Sequence, residues 1–350
     1  MTPIETLIHD YIDPITQLAI YRDAKITQTE NTLTIIVGYP LALEKTRLSS
    51  ELSAYLTTQG HFFSNILIES NITKHRVQAG LQPFPEIQNI IAIASGKGGV
   101  GKSTVSVNLA AALAQQGANV GILDADIYGP SQPTMLGGVQ RPESKDGKTM
   151  EPIIRHGMQT LSIGDIVEED TAMIWRGPMV TQTLIQLISE CNWHALDYLI
   201  IDLPPGTGGT QLTLAQRIPV TGAVIVTTPQ EIALLDVKRA KTMFDKVRIP
   251  NLGIIENMSF YHCPNCGHEE PIFGSHGGTT LSERYQIPLL GQIPLDIHIR
   301  ESGDKGIPIV FSEPKSPLAK NYLTIALKLG WQLATQQKSY TQSFPKIIVE

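Results

Sequence analysis

The sequence predicts a doubly wound α/β fold, a mostly parallel sheet with helices on both faces, preceded by a small N-terminal α/β domain. Three observations point there. Beyond residue 90 the short apolar runs are continuous rather than alternating, helical-period segments separate them, and a glycine-rich loop joins the first run to a helix. A strand buried on both faces has no polar side to alternate with, and strands joined through helices form a covered parallel sheet.

In chain order, residues 3–12 read as a helix, 32–37 as a strand, 43–58 as a helix and 65–69 as a strand. The second helix rests on Leu48, Leu52, Tyr55 and Leu56, which recur at helical spacing. Gln82-Pro83-Phe84-Pro85 ends this unit, because proline punctuates both helix and strand. The strands that follow are expected at 90–94, 120–123, 198–201, 223–227 and 252–256, with helices at 104–115, 180–191 and 234–246. The implied organisation is a small α/β domain over 1–85, a large domain over 86–338 and a polar tail over 339–350. In such a sheet the ligand belongs at the carboxyl ends of the strands.

Composition narrows the function. A net charge of −6 argues against broad electrostatic binding to nucleic acid or an anionic membrane. The apolar runs are too short to span a bilayer, and the acidic start lacks the pattern of a secretory signal. Three cysteines, Cys191, Cys263 and Cys266, are too few for a disulfide scaffold, so a reducing cytoplasm is expected.

The decisive segment is Gly96-Lys97-Gly98-Gly99-Val100-Gly101-Lys102-Ser103-Thr104, which fits G-x-x-x-x-G-K-[ST] between a strand and a helix. Glycines allow backbone N–H groups to face phosphate oxygens, and the following helix adds its N-terminal dipole. Lys102 is then expected to reach the β- and γ-phosphates of ATP, with the Ser103 hydroxyl on Mg2+. The plain alternative is a glycine-rich turn that binds nothing. Lys97, directly after the first glycine, marks the deviant subclass of P-loop proteins, whose members commonly dimerise and reach the partner's nucleotide with this lysine; a solvated loop lysine is the plain alternative. Leu199-Ile200-Ile201-Asp202 is an apolar strand ending in a carboxylate suited to holding Mg2+ directly or through water. A second such strand ends in Asp124-Ala125-Asp126, where Asp124 suits a structural role and Asp126 could orient the attacking water. A buried capping aspartate is the alternative for each.

Together these residues resemble the Mrp/ApbC group of iron–sulfur cluster carrier ATPases, within the class that includes MinD and ParA. The resemblance runs from about residue 90 to 310. It includes 96–104, Asp124-Ala-Asp-Ile-Tyr-Gly-Pro-Ser131, Trp175-Arg-Gly-Pro178 and Asp197-Tyr-Leu-Ile-Ile-Asp-Leu-Pro-Pro-Gly-Thr-Gly208. It continues through Glu256-Asn-Met-Ser259, Cys263-Pro-Asn-Cys-Gly-His268, Ile272-Phe-Gly274 and Ile293-Pro-Leu-Asp296. It implies that Asn257 contacts the adenine base, and that 1–85 matches the small domain often fused to these carriers. One departure stands out. The family usually carries an acidic residue after Pro-Pro-Gly-Thr-Gly, and here that position is Gly209, in the expected γ-phosphate switch.

Cys263-Pro264-Asn265-Cys266 is a C-x-x-C knuckle flanked by His262 and His268. Alone it could be half a zinc site, a redox dithiol or a coincidence. A [4Fe–4S] cluster held by protein alone needs four thiolates. One chain supplies two at suitable spacing, with Cys191 expected in the core, so a cluster bridging the two subunits of a homodimer meets the count. Zinc is the rival occupant, either across the dimer or within one chain with His262, His268 or His276, although solvated loop histidines are the preferred reading of those three. The expectation is a slow ATPase that passes the cluster from a donor to recipient apoproteins, with no nucleic-acid or membrane partner. A DNA- or membrane-positioning ATPase would leave the knuckle unexplained, and a non-hydrolysing scaffold gains weight only from Gly209.

Overall fold

The computed structural model describes residues 3–167, 177–275 and 277–339. The N-terminal unit comprises helix α1 (Pro3–His9), strands β1 (Lys25–Gln28) and β2 (Thr32–Val37), helix α2 (Lys45–Thr58) and strand β3 (Asn65–Ser70). The large sheet begins with β4 (Ile87–Ala94), α3 (Lys102–Gln115), β5 (Val120–Asp124), the short α4 (Gln132–Met135), β6 (Ile153–Arg155) and β7 (Met158–Ser162). It continues with α5 (Gly177–Glu190), β8 (Leu196–Asp202), α6 (Gly209–Arg217), β9 (Gly222–Thr227) and α7 (Glu231–Lys246). The last elements are β10 (Asn251–His262), β11 (Glu269–Glu270), α8 (Gly277–Tyr285), β12 (Leu289–Leu295), α9 (Ile297–Asp304), α10 (Ile309–Ser312) and α11 (Pro317–Ala334). No helix among the described residues is long and apolar enough to cross a membrane.

The nine-stranded sheet runs β12-β10-β9-β4-β8-β5-β7-β6, with β11 pairing the far end of β10. Only β6 and β11 run antiparallel to their neighbours. Its central strands β4, β5, β8 and β9 are buried from both sides, as their unbroken apolar runs require: Ile91 and Ile93 of β4 face α3 and α11, while Ile90, Ala92 and Ala94 face the layer of α5–α8. From β4 the chain winds first through β5 and β7, then returns through β8 to β9 on the other side of β4. This reversal opens a crevice at the carboxyl ends of β4 and β8, the position where open α/β sheets take ligands.

The small sheet, β1-β2-β3, alternates buried and half-buried residues along β2, with Leu33, Ile35 and Val37 inward. It does not close its core alone. Leu327, Trp331 and Ala334 of α11 complete it, while Ile325, Ala326, Leu329 and Leu333 of the same helix pack into the large core. Trp331 Nε1 donates to the Ala19 carbonyl at 3.1 Å, and Tyr39 OH to the Ile20 carbonyl at 2.6 Å. The helix starts cleanly because Ser316 caps Ala319 N–H and Pro317 occupies the first turn, where its missing N–H costs no bond.

Two expectations are corrected. The strand predicted to stop at 256 continues to His262, carried past a register shift by Met258 in the left-handed region (φ 56°). The helix predicted over 180–191 ends at Glu190, and Cys191 instead bridges Met150. Trp175 and Arg176 lie outside the described residues, as do His276 and 340–350 of the expected tail.

Because α11 serves two cores, Trp331→Ala is expected to cost about 3 kcal/mol. Chemical denaturation measures the loss, and hydrogen exchange should show β2 losing protection before β4. Equal loss in both strands would contradict a separately loosened small sheet.

Candidate functional site

The phosphate loop leaves β4 at the crevice and enters α3 at Lys102. Two glycines in it have no substitute. Gly101 takes φ 78°, and a Cβ there would overlap Asn257 Nδ2, while a Cβ at Gly96 would overlap Asp236 of α7. Gly98 and Gly99 are exposed, Val100 is buried, Lys97 is half-buried and its carbonyl accepts Ser95 Oγ at 2.8 Å. Thr104 Oγ1 lies 3.9 Å from Met135 Sδ, on the side of α4.

Lys102, only 6% exposed, places Nζ 2.6 Å from Asp202 Oδ1, and Ser103 Oγ lies 3.4 Å from the same nitrogen. Asp202 is fully buried; Ser106 Oγ donates to its Oδ1 at 2.8 Å and Gln132 Nε2 to its Oδ2 at 3.0 Å. An ionised carboxylate stays buried only when paired and hydrogen-bonded in this way. Ser106 and Gln132 escape motif reading, because a serine inside a helix and a glutamine after a turn carry no pattern of their own.

The neighbouring β5 ends in Asp124, opposite Asp202 in register. Its carboxylate accepts N–H bonds from Asp126, Ser131 and Gln132 and the Ser162 hydroxyl, which folds residues 125–131 into a fixed turn. Burial, and then the charge of Asp202, push Asp124 above the usual carboxylate range. Asp126 is half-buried on that turn; burial raises it too, opposed by the nearby Lys102 charge. Lys102, Ser103 and Asp202 thus lie in contact at the carboxyl ends of β4 and β8, with Asp126 on the turn close enough to feel the Lys102 and Asp202 charges. The loop after Asp202 ends at Gly209, the first residue of α6, where a Cβ would meet nothing within 4 Å.

Asn257 is buried beneath the loop, and its Nδ2 donates to the Val100 carbonyl at 2.9 Å. From there β10 leads to the cysteines. The knuckle is a hairpin rather than a free loop: Cys263 N–H donates to the His268 carbonyl and Gly267 N–H to the Cys263 carbonyl, both at 2.9 Å. Cys266 is exposed and Cys263 half-buried. Backbone N–H groups of Cys266 and Asn265, then the Cys266 thiol, hold Cys263 below the usual thiol range. Cys191 is buried, and burial pushes its thiol up to about 12. The flanking histidines lie beside carboxylates, His262 with Glu269 and His268 with Glu270. Among the described residues no set of three or more His, Cys, Asp or Glu gathers into a metal site.

Residues 86–330 match the family model described as the NUBPL iron-transfer P-loop NTPase. The chain is 59% identical over 251 residues to an iron-sulfur cluster carrier protein of Escherichia coli, covering 71% of this chain and 68% of that one. A carrier of Synechocystis is 43% identical over 326 residues, covering 91% and 92% of the two chains. Among solved structures, a nucleotide-binding protein of Archaeoglobus fulgidus in complex with ADP superposes with a TM-score of 0.54 at 36% identity, covering 63% of this chain and 87% of that one. The cell-division ATPase MinD of Pyrococcus furiosus, with a TM-score of 0.51 at 24% identity over 69% of this chain and 98% of that one, shares the fold.

The thiols should separate in reactivity. The thiolate is the nucleophile, so Cys263, held low, keeps reacting with iodoacetamide as pH falls until its own lowered value is crossed. Cys191 is expected to label only after denaturation, with mass spectrometry of the modified peptides as the readout. Labelling of Cys191 in the native protein at the Cys263 rate would contradict its burial.

Proposed function

The chain belongs to the NUBPL iron-transfer P-loop NTPase family, and from that premise we propose that it is a homodimeric, slowly hydrolysing ATPase that carries a [4Fe–4S] cluster between proteins. The observation that carries this reading is the pair of half-buried Cys263 and exposed Cys266 just past the end of the strand whose Asn257 grips the phosphate loop. It supports a cargo site and a nucleotide site built on one element.

In this reading the backbone of 96–101 cradles the phosphates, and Lys102 exchanges Asp202 for the β- and γ-phosphate oxygens. Ser103 Oγ and the Asp202 carboxylate are hard oxygen donors that both lie next to Lys102 Nζ, at 3.4 and 2.6 Å, which suits Mg2+. Mg2+, when bound, neutralises charge developing on the phosphates. Asp126, on its fixed turn, orients the attacking water, and Lys97 reaches the nucleotide of the second subunit. Tyr128 and Leu235, each more than 60% exposed and close in sequence to Asp126 and Asp236, fit a face covered by that subunit. Asn257 reaches the base with the part of its amide that Val100 does not engage.

Each subunit offers two accessible thiols, and the high value of Cys191 disfavours it as a thiolate ligand, so two subunits complete the cluster's four. The cluster is cargo, received from a donor and passed to recipient apoproteins in the cytoplasm, without nucleic acid or membrane. The small domain of 1–85 and the large domain of 86–338 are taken as the working parts, and Gly209 as a switch that works without its carboxylate.

Hydrolysis tests the first half. Lys102→Ala should abolish ATP binding and turnover, whereas Asp126→Asn should keep binding and slow turnover by about a hundredfold or more. Wild-type turnover by Asp126→Asn would remove its role. Anaerobic reconstitution with iron and sulfide tests the second half. Cys263→Ala or Cys266→Ala should lose iron and visible absorption while binding ATP normally, and Cys191→Ala should keep the cluster. Loss in Cys191→Ala equal to that in Cys263→Ala would sink the bridging arrangement. Tight uptake of one Zn2+ per dimer, with poor reconstitution of the wild type, would make the knuckle a structural zinc clamp.

A further inference from the structure

Gln132 is a buried polar side chain that the catalytic scheme above does not use. It is 2% exposed, at the first position of α4, directly after the turn held by Asp124. Its Nε2 donates to the Ser103 carbonyl at 3.1 Å and to Asp202 Oδ2 at 3.0 Å. Both partners are acceptors only, so the amide orientation is fixed: the nitrogen must face them. Its backbone N–H is tied to Asp124 Oδ2 at 3.0 Å, so the residue cannot drift from the carboxylates.

The fixed orientation leaves Oε1 buried with no hydrogen-bond partner among the described residues. A buried amide oxygen without a donor has lost its hydration with nothing in return. The orphan acceptor belongs to a side chain clamped between Ser103 and Asp202, the two residues whose oxygens suit Mg2+. Magnesium retains several of its waters when it binds, and each such water carries polarised hydrogens that need acceptors.

We propose that Gln132 is a positioning residue for Mg2+, with Oε1 accepting a hydrogen bond from a water of the metal's hydration shell while Nε2 holds Asp202 and Ser103 in place. The inference rests on the Mg2+–ATP reading of the crevice. The chain thereby joins three segments, the phosphate loop, the Asp124 turn and the end of β8, through one amide. Metal hydration would be read directly by the turn that carries Asp126. A side chain that hydrogen-bonds a metal's ligands and waters orients them without touching the metal.

The test compares affinity for a non-hydrolysable ATP analogue in Mg2+ and in excess EDTA, by titration calorimetry on the full chain. The ratio of the two affinities isolates the metal's contribution. Gln132→Leu, similar in volume but without donor or acceptor, should lower that ratio about five- to tenfold, the size of one buried hydrogen bond, while any loss from loosening Asp202 and Ser103 falls on both affinities and cancels in the ratio. Gln132→Asn, which keeps the amide but withdraws it by one methylene, should lower the ratio in the same sense and serves alone should the leucine variant fail to fold. An unchanged ratio would overturn the proposal, and if both affinities fall by the same factor Gln132 merely supports the loop. Should the wild type bind the analogue no better with Mg2+ than with EDTA, the Mg2+ reading itself fails instead.

Discussion

The buried contact between Lys102 and Asp202 is the constraint from which the rest of the site follows. Two opposite charges sit 2.6 Å apart, the lysine side chain 6% exposed and the carboxylate fully enclosed. Removing both from water costs several kcal/mol per ion unless every remaining lone pair finds a donor. Ser106 of α3 and Gln132 of α4 supply those donors, so the helix after the phosphate loop and the turn after β5 are fixed by one carboxylate. Phosphate oxygens offered to Lys102 compete with that carboxylate directly. Nucleotide binding is therefore expected to release Asp202, and with it the loop leading to Gly209.

A second link runs the other way, along β10. Asn257 is held by the Val100 carbonyl, and Glu256 next to it is locked by Ser259, Gln292 and the Gly278 N–H. Six residues further on is Cys263, on the order of 20 Å away at the rise of an extended strand. Met258, in the left-handed region within this span, coincides with the break in register against β12. A non-glycine residue held in that conformation stores on the order of 1 kcal/mol and marks where the strand can change direction. A shift of the phosphate loop thus has a covalent route to the thiols.

The sheet and the phosphate loop were legible because their rules are local: unbroken apolar runs for doubly buried strands, and a glycine–lysine pattern between strand and helix. The length of β10 was not, since Asn257-Met258-Ser259 interrupts the apolar run and the strand survives through a bulge. The double service of α11 was hidden for a related reason, because a helix buried on two sides lacks the single apolar stripe that betrays its partner. Among the site residues, Lys102, Ser103, Asp126 and Asp202 could be named from motifs, and in the fold Lys102 touches both Ser103 and Asp202. Ser106 and Gln132 could not, because their importance lies in the carboxylate they face, which only the fold brings near.

The central claim is that two copies of the chain, each with a nucleotide crevice and two accessible thiols, hold one cluster between them. Native mass spectrometry of the anaerobically reconstituted protein tests it most directly. The account requires a dimer carrying the mass of a single four-iron, four-sulfide cluster, absent from Cys263→Ala. A cluster-bearing monomer, or a dimer with a separate metal ion on each subunit, would contradict it.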